Sequence, residues 1–372
     1  MNLRLAAAAL ALLCAACSSP SGPKPAELPR LEHEARVRAL WSARTGGADR
    51  FVFTPALVDG SVYSAARDGT VTRLEAASGR TLWSVSAGNR LSGGVGADAR
   101  SVAVANEDGE IIVLDAENGR RRWSARVPSE VIAAPAVGAD LVLVRSIDNR
   151  LSAFGAQDGK RRWVYQRAPS SLIIRAPAGV TIQGDTAFAG FAGGKLTAIA
   201  LSNGGVRWEA TVALPKGGTE LERVTDVVGD PAMQGREVCA ATYQGRVGCY
   251  EAATGRQVWA RDISSLTGVS LDARYAFVSD DRGAVQAFDR TNGRSVWKQD
   301  KLAHRQLSLP QPFGEFVAVG DLEGYVHFLA RDTGAFVARY ATNGGAVRAA
   351  PTAVPGALLV QTQNGALHAL AL

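Results

Sequence analysis

Cysteine, histidine, serine and the carboxylates are the side chains in this chain that could carry reactive chemistry, and their spacing is the first test of what they do. Histidine is scarce. His33, His304, His327 and His368 stand far apart, and no pair has a metal-binding spacing such as HExxH or HxH. No GxSxG elbow, SxxK motif or phosphate-binding loop occurs, and the GGVG string at 93–96 lies in a strand-and-turn pattern with no helix after it. Asp280 and Asp281 are adjacent, so on a strand their carboxylates would project to opposite faces, a poor arrangement for a general acid and base. The expectation is a chain with no catalytic residue, no metal and no cofactor.

The cysteines fall into two pairs. Cys239 and Cys249 flank Gln244 and Gly245 at nearly equal distances. In an oxidising compartment that placement permits a bridge between two paired strands; the alternative is two reduced, buried small side chains. Cys14 and Cys17 close the apolar run from Leu5 to Ala16, which follows Arg4. The run is too short for a bilayer but suits the core of a secretory signal. Its end, LLCAACSS, looks like the lipobox at which lipoprotein signal peptidase leaves a lipidated cysteine. Residues 1–16 are then a signal peptide and Cys17 the lipidated first residue, with an ordinary alanine-rich cleavage site as the alternative. Cys14 departs from the leucine usual three positions before the modified cysteine. Ser18 follows Cys17, where aspartate would favour the inner membrane, so the expected location is the periplasmic face of the outer membrane. Residues 17–36 carry Pro20, Pro23, Pro25 and Pro29 with few large apolar groups. They read as an extended tether reaching about 60 Å at most, from which the globular part can stand clear.

The remainder of the chain must supply the elements that position any site. With 47% apolar residues, 20% charged and 40 glycines among 372 residues, the chain can bury a large core. The net charge of +6 is scattered as single arginines, so nucleic acid is not an expected partner. Tryptophan recurs at 41, 83, 123, 163, 208, 259 and 297, and six of these residues lie four positions after a glycine, as in SGRTLW and NGRSVW. A related turn, DTGAFVARY, has Gly334 but ends in Tyr340. A second marker, a two-residue turn such as Asp68-Gly69, Asp108-Gly109 or Asn364-Gly365, occurs eight times between short alternating runs. Helical periodicity is absent. Four strands per repeat of about 42 residues predicts an all-β, eight-bladed β-propeller of four-stranded antiparallel blades over residues 37–372. The first strand, VRALWSAR, completes the last blade, GALHALAL, and so removes a sheet edge. The tryptophans are expected to pack neighbouring blades together.

Two intervals between turn markers are longer than the rest, around blades four and five, and long loops on a rigid scaffold favour binding. The first places Leu172, Ile173 and Ile174 beside Arg175, an apolar anchor with an arginine. The non-repeating strings LAHRQLSLPQPFGEFVAVGDLEGYVHFLARDTGAFVAR (302–339) and GTELERVTDVVGDP (218–231) resemble the BamB family of outer-membrane protein assembly factors. That resemblance implies a non-catalytic lipoprotein of the β-barrel assembly machinery that binds the POTRA domains of BamA and assists insertion of barrel proteins. Unfolded outer-membrane proteins are a second class of partner under it, with the membrane engaged through the lipid. It also implies the contact residues: Leu172, Ile174 and Arg175 in a Leu-x-Leu-Arg-like string, and Arg223 and Asp226 in a second loop, where Val228 replaces a second aspartate. Two alternatives remain. One is a quinoprotein dehydrogenase-like propeller; such enzymes are longer and hold their quinone under adjacent cysteines, which this chain lacks. The other is a generic cell-envelope binding propeller.

Overall fold

The computed structural model describes residues 23–31, 35–88, 90–168, 170, 172–342 and 344–372. Cys14, Cys17 and His33 lie outside these. Among the described residues there is no helix, and the strands form eight four-stranded antiparallel sheets. Blades 1 to 7 occupy residues 56–86, 91–126, 136–166, 180–211, 227–262, 270–299 and 311–341, each with strands A to D in chain order from the axis outward. Blade 8 takes strands A to C from residues 352–371 and strand D from Arg38–Arg44. That strand runs antiparallel to Ala366–Ala371, with Arg44 opposite Ala366 and Arg38 opposite Ala371. The expected closure by the two ends of the chain is present.

The B strands are the most buried, and Ser61–Ala65 and Ala357–Gln361 are buried at every position. Both faces of such a strand are covered by neighbouring blades, so it is built of alanine, valine and other small or branched residues. The D strands form the outer wall and alternate exposed with half-buried side chains, as in Thr81–Ser86.

One repeated contact joins blade to blade. Each indole Nε1 donates to a backbone carbonyl of the next blade: Trp41 to Ala76, Trp83 to Ala116, Trp123 to Ala156, Trp163 to Leu201, Trp208 to Ala252, Trp259 to Arg290 and Trp297 to Arg331, at 2.6–3.2 Å. The ring lies on the glycine of that blade's C–D turn. These glycines, from Gly79 to Gly334, have φ of +64 to +74°, and a Cβ on any of them would stand 2.4–3.0 Å from the indole. The glycine four residues before a tryptophan therefore seats the tryptophan of the preceding blade, not its own. Blade 8 has no C–D turn because its C and D strands come from opposite ends of the chain, and there the device changes. The ladder position of the tryptophan in blade 7 is taken by Ala338, opposite Phe328, whereas Trp297 in blade 6 faces Ala287. Tyr340, two residues on, packs edge-on against His368 at 5.8 Å. Bulk has moved from the D strand to the C strand at this junction.

Cys239 and Cys249 are directly opposed on strands B and C of blade 5, fully buried, and joined by a disulfide.

The Pro-rich segment departs from the expected free tether. Its described residues, 23–31 and 35–36, are extended, but they are laid along the propeller. Ala35 donates its N–H to the carbonyl of Val337, at the foot of the outer strand of blade 7; Arg339 Nη2 donates to the carbonyl of Pro29 at 3.0 Å; Ala26 donates to the carbonyl of Ala303. Leu28 packs into the apolar cluster between blades 6 and 7. The sequence suggested no partner because three of these contacts run through backbone groups. Beneath the segment lies a buried polar network. Arg305, 2% exposed, donates to Asp321 Oδ2 at 2.7 Å, to Glu323 and to the carbonyl of Ala26 at 2.9 Å. His327 Nε2 donates to the same Asp321 oxygen at 2.9 Å, and Arg339 Nε donates to His327 Nδ1 at 3.3 Å. Both bonds require a neutral imidazole with its proton on Nε2.

Loss of hydration, reinforced by the charges of Arg339 and Arg305, outweighs Asp321 and holds His327 below the usual histidine range. Asp321 is held below the usual carboxylate range: burial opposes this but is outweighed by the hydrogen bonds from His327, the Tyr325 amide and Arg305. Unfolded histidine takes up a proton near pH 6.5, so this contribution is complete above that pH and is lost as the pH falls toward the lowered native value. Thermal melts should show stability declining below about pH 6.5, and His327→Gln should flatten that decline. A melting temperature independent of pH between 7 and 5 in the parent protein would overturn the assignment. At the blade junctions, Gly159→Ala puts a Cβ 2.6 Å from the ring of Trp123. It should cost about 2–5 kcal/mol from left-handed strain plus overpacking. Gly184→Ala, equally left-handed but with open space around it, should cost about 1–2 kcal/mol. Denaturant midpoints of the two variants check this, and equal shifts would contradict the seating role.

Candidate docking face

The B–C turns and the connections from strand D to the next strand A share one face of the propeller. Six of the eight connections meet around the axis in a cavity of about 680 Å³, whose lining includes Phe51, Ile132, Ile174, Leu266 and Leu307, with Arg50, Arg175 and Arg348 and the carboxylates of Asp280 and Asp281 at its charged positions. The two longest connections are 167–179, leading into blade 4, and 212–226, leading into blade 5. The inserted residues anticipated around blades four and five lie here.

The described residues of the first connection are irregular up to Val180. Leu172 is 42% exposed and Arg175 is exposed, while Ile173 and Ile174 are half-buried and turn toward Ile132, Ile147 and Ala192. The LIIR string is thus split: its two ends face solvent and its two isoleucines hold the loop down. Arg175 Nη2 bonds Glu130 at 2.7 Å, across to the preceding connection. With the guanidinium about half exposed and the carboxylate mostly buried, this pair is screened and contributes less than 1 kcal/mol or so; its use is to aim Arg175.

Asp226 does not face solvent. It is 5% exposed, and its carboxylate accepts the N–H of Ile174 at 2.8 Å and the N–H of Gly193 at 3.2 Å. Burial raises its pKa, opposed by those two amides and by the charge of Arg145. Arg145 in turn loses hydration under the loop, which pulls its guanidinium down to about 10 against the attraction of Asp226 and Asp148. The guanidinium lies 5.3 Å from the centre of the Phe191 ring. Asp226 is therefore a fastener between the two long connections, with its carboxylate turned away from solvent. Val228, at the place of a second aspartate, is buried in strand A of blade 5.

Arg223 is exposed, in a single turn stiffened by Glu222, whose carboxylate accepts the amides of Gly218 and Thr219. Arg223 Nε donates to the carbonyl of Gly217. The same connection exposes two residues that the sequence reading passed over, Leu214 at 65% and Leu221 at 71%. Leucines at the two ends of the polar stretch 215–220 were the signal. Elsewhere on this face, Arg50, Arg67 and Arg90 converge on the largely buried Glu107. Asp280 and Asp281 sit in a B–C turn, not on a strand, and both line the axial cavity. Asp280 is occupied by the amides of Arg282 and Ala284 and by Gln286. No cluster of three or more potential metal ligands occurs among the described residues.

A family model described as outer membrane protein assembly factor BamB matches residues 40–299. The chain is 44% identical over 345 residues to the outer membrane protein assembly factor BamB of Bordetella pertussis, covering 92% of this chain and 89% of that one. It belongs to the BamB family. Among solved structures, BamB from Moraxella catarrhalis superposes with a TM-score of 0.83 at 25% identity, over 91% of this chain and 100% of the other. The quinohemoprotein alcohol dehydrogenase of Comamonas testosteroni reaches a TM-score of 0.72 at 13% identity, over 90% of this chain and 76% of its own. That likeness shows the fold alone, so the dehydrogenase alternative retains only a shared architecture. Membership of the BamB family places the unusual features of this chain in its loops, because the ring itself is common to proteins of other function.

Removing the fastener gives a direct check. Asp226→Ala should raise amide hydrogen exchange at Ile174 and Gly193 about tenfold or more, as expected for losing a hydrogen bond to a charged group. Strand amides of blades 4 and 5 should stay protected. Unchanged exchange at both amides would refute the role given to Asp226.

Proposed function

We propose that this chain is a non-catalytic scaffold lipoprotein of the outer-membrane β-barrel assembly machinery. It is anchored through Cys17 at the periplasmic face of the outer membrane, with residues 1–16 removed as a signal peptide. Its docking face binds the POTRA domains of BamA. The observation that carries this reading is the pair of long connections held together by Asp226, which presents Leu172 and Arg175 from one loop and Leu214, Leu221 and Arg223 from the other.

Exposed leucines beside arginines on a rigid backbone have the composition of an interface hot spot. Because the loops are already fixed, little ordering entropy opposes binding. The lipid holds the scaffold at the membrane where its partner resides, so that modest contact energy suffices. A docked propeller orients the partner's periplasmic arm toward incoming barrel proteins, which themselves form a second class of ligand for this face.

Co-purification from solubilised membranes tests the assignment. Leu172→Asp combined with Arg175→Glu should reduce recovery of BamA at least tenfold, the effect of losing about 1.4 kcal/mol or more at a hot spot. Circular dichroism should be unaffected, and loss of the Arg175–Glu130 pair should cost no more than about 1 kcal/mol in stability. Undiminished recovery would reject these loops as the contact.

A further inference from the structure

The clamp on the N-terminal segment decides the path of the chain before its first strand. Strand D of blade 8 begins at Arg38, at the end of the molecule that carries the C–D turns, and residues 35–37 lie at that same end, beside Val337. Without further contacts, the tether would depart from there. Instead the described part of the segment climbs the outer wall of blade 7: Pro29 is held by Arg339 at mid-strand and Ala26 by Ala303 and Arg305 in the connection from blade 6 to blade 7, on the docking face. Pro23 then lines the axial cavity itself.

We propose that this clamp turns the docking face toward the membrane. The inference rests on the lipidation of Cys17 proposed above. Cys17 precedes Pro23 by six positions, and six extended residues span about 20 Å at most. Four strands spaced about 4.8 Å apart put the rim about 14 Å outside the innermost strand, and a six-residue outer strand adds about 20 Å of wall. The arm in front of Pro23 can reach the rim but cannot descend the wall, so the lipid cannot sit under the opposite face while the clamp is closed. An unclamped tether of the full segment could serve either face. Three features make the clamp strong enough for this: a buried guanidinium shared between Asp321, Glu323 and the Ala26 carbonyl; a second arginine on the Pro29 carbonyl; and Leu28 seated between blades 6 and 7. The partner surface this fits is one lying against the inner leaflet, the membrane-proximal part of an integral membrane protein.

The test uses the full lipidated protein in vesicles containing a headgroup-nitroxide lipid. One fluorophore is attached at Asp108→Cys, in a B–C turn, or at Glu117→Cys, in the C–D turn of the same blade; the disulfide-bonded cysteines do not compete. Quenching should be severalfold stronger at position 108. Leu28→Asp, which opens the clamp without touching the ring, should bring the two positions within twofold of each other. Equal quenching in the parent protein, or stronger quenching at 117, would overturn the orientation. Flotation with the vesicles, compared with Cys17→Ser, separates the two readings: failure of the parent to float removes the anchor and the orientation with it, whereas flotation with equal quenching removes the orientation alone.

Discussion

An indole ring can rest on the turn of the next blade only if that turn offers no Cβ, and the ring of eight sheets depends on this contact. It joins a left-handed glycine, a buried hydrogen bond and a large apolar face in one place. Because each half comes from a different blade, no blade satisfies its own tryptophan. The unit of stability is therefore the junction rather than the sheet, and the ring must close for every junction to be filled. At the junction of blades 7 and 8 the missing turn removes the seat, and the exchange of tryptophan for Ala338, with Phe328 opposite, follows from that loss.

A closed ring fixes the starts and ends of all its connections, so a loop of unusual length has nowhere to go but outward over one face. There its shape depends on a few polar fasteners. Asp226 holds one loop through backbone amides of Ile174 and Gly193, and Arg305 and Arg339 hold the N-terminal segment through backbone carbonyls. In each case a charged side chain is taken from water and repaid by several hydrogen bonds, which is how a buried ion becomes a positioning device. The exposed leucines are held in place by such groups and not by their own packing.

Much of this was legible from residue types alone. The tryptophan and glycine intervals reveal the number of blades, since a period near 42 residues leaves room for four short strands and their turns. The closing strand was legible because the chain opens on a tryptophan strand and ends one strand short. Leu172 and Arg175 could be singled out from composition and loop length. The fastening role of Asp226 was not legible, because a carboxylate in a long loop looks like a surface group until the amides it accepts are known. The segment around Ala26 was misread as free because prolines and small residues lack an apolar stripe, while the partners waiting for its carbonyls lie about 280 and 310 positions away.

The sequence by itself determined the repeat, the all-β class, the closure and the absence of a recognisable reactive motif, because each is written in local spacing that a short-range rule can read. Only the tertiary structure decided which blade each glycine serves, which side chains of the LIIR string face out, and where the Pro-rich segment before the first strand is held. Those depend on contacts between residues far apart in the chain, made largely by backbone groups that every residue carries alike and that no side-chain pattern records.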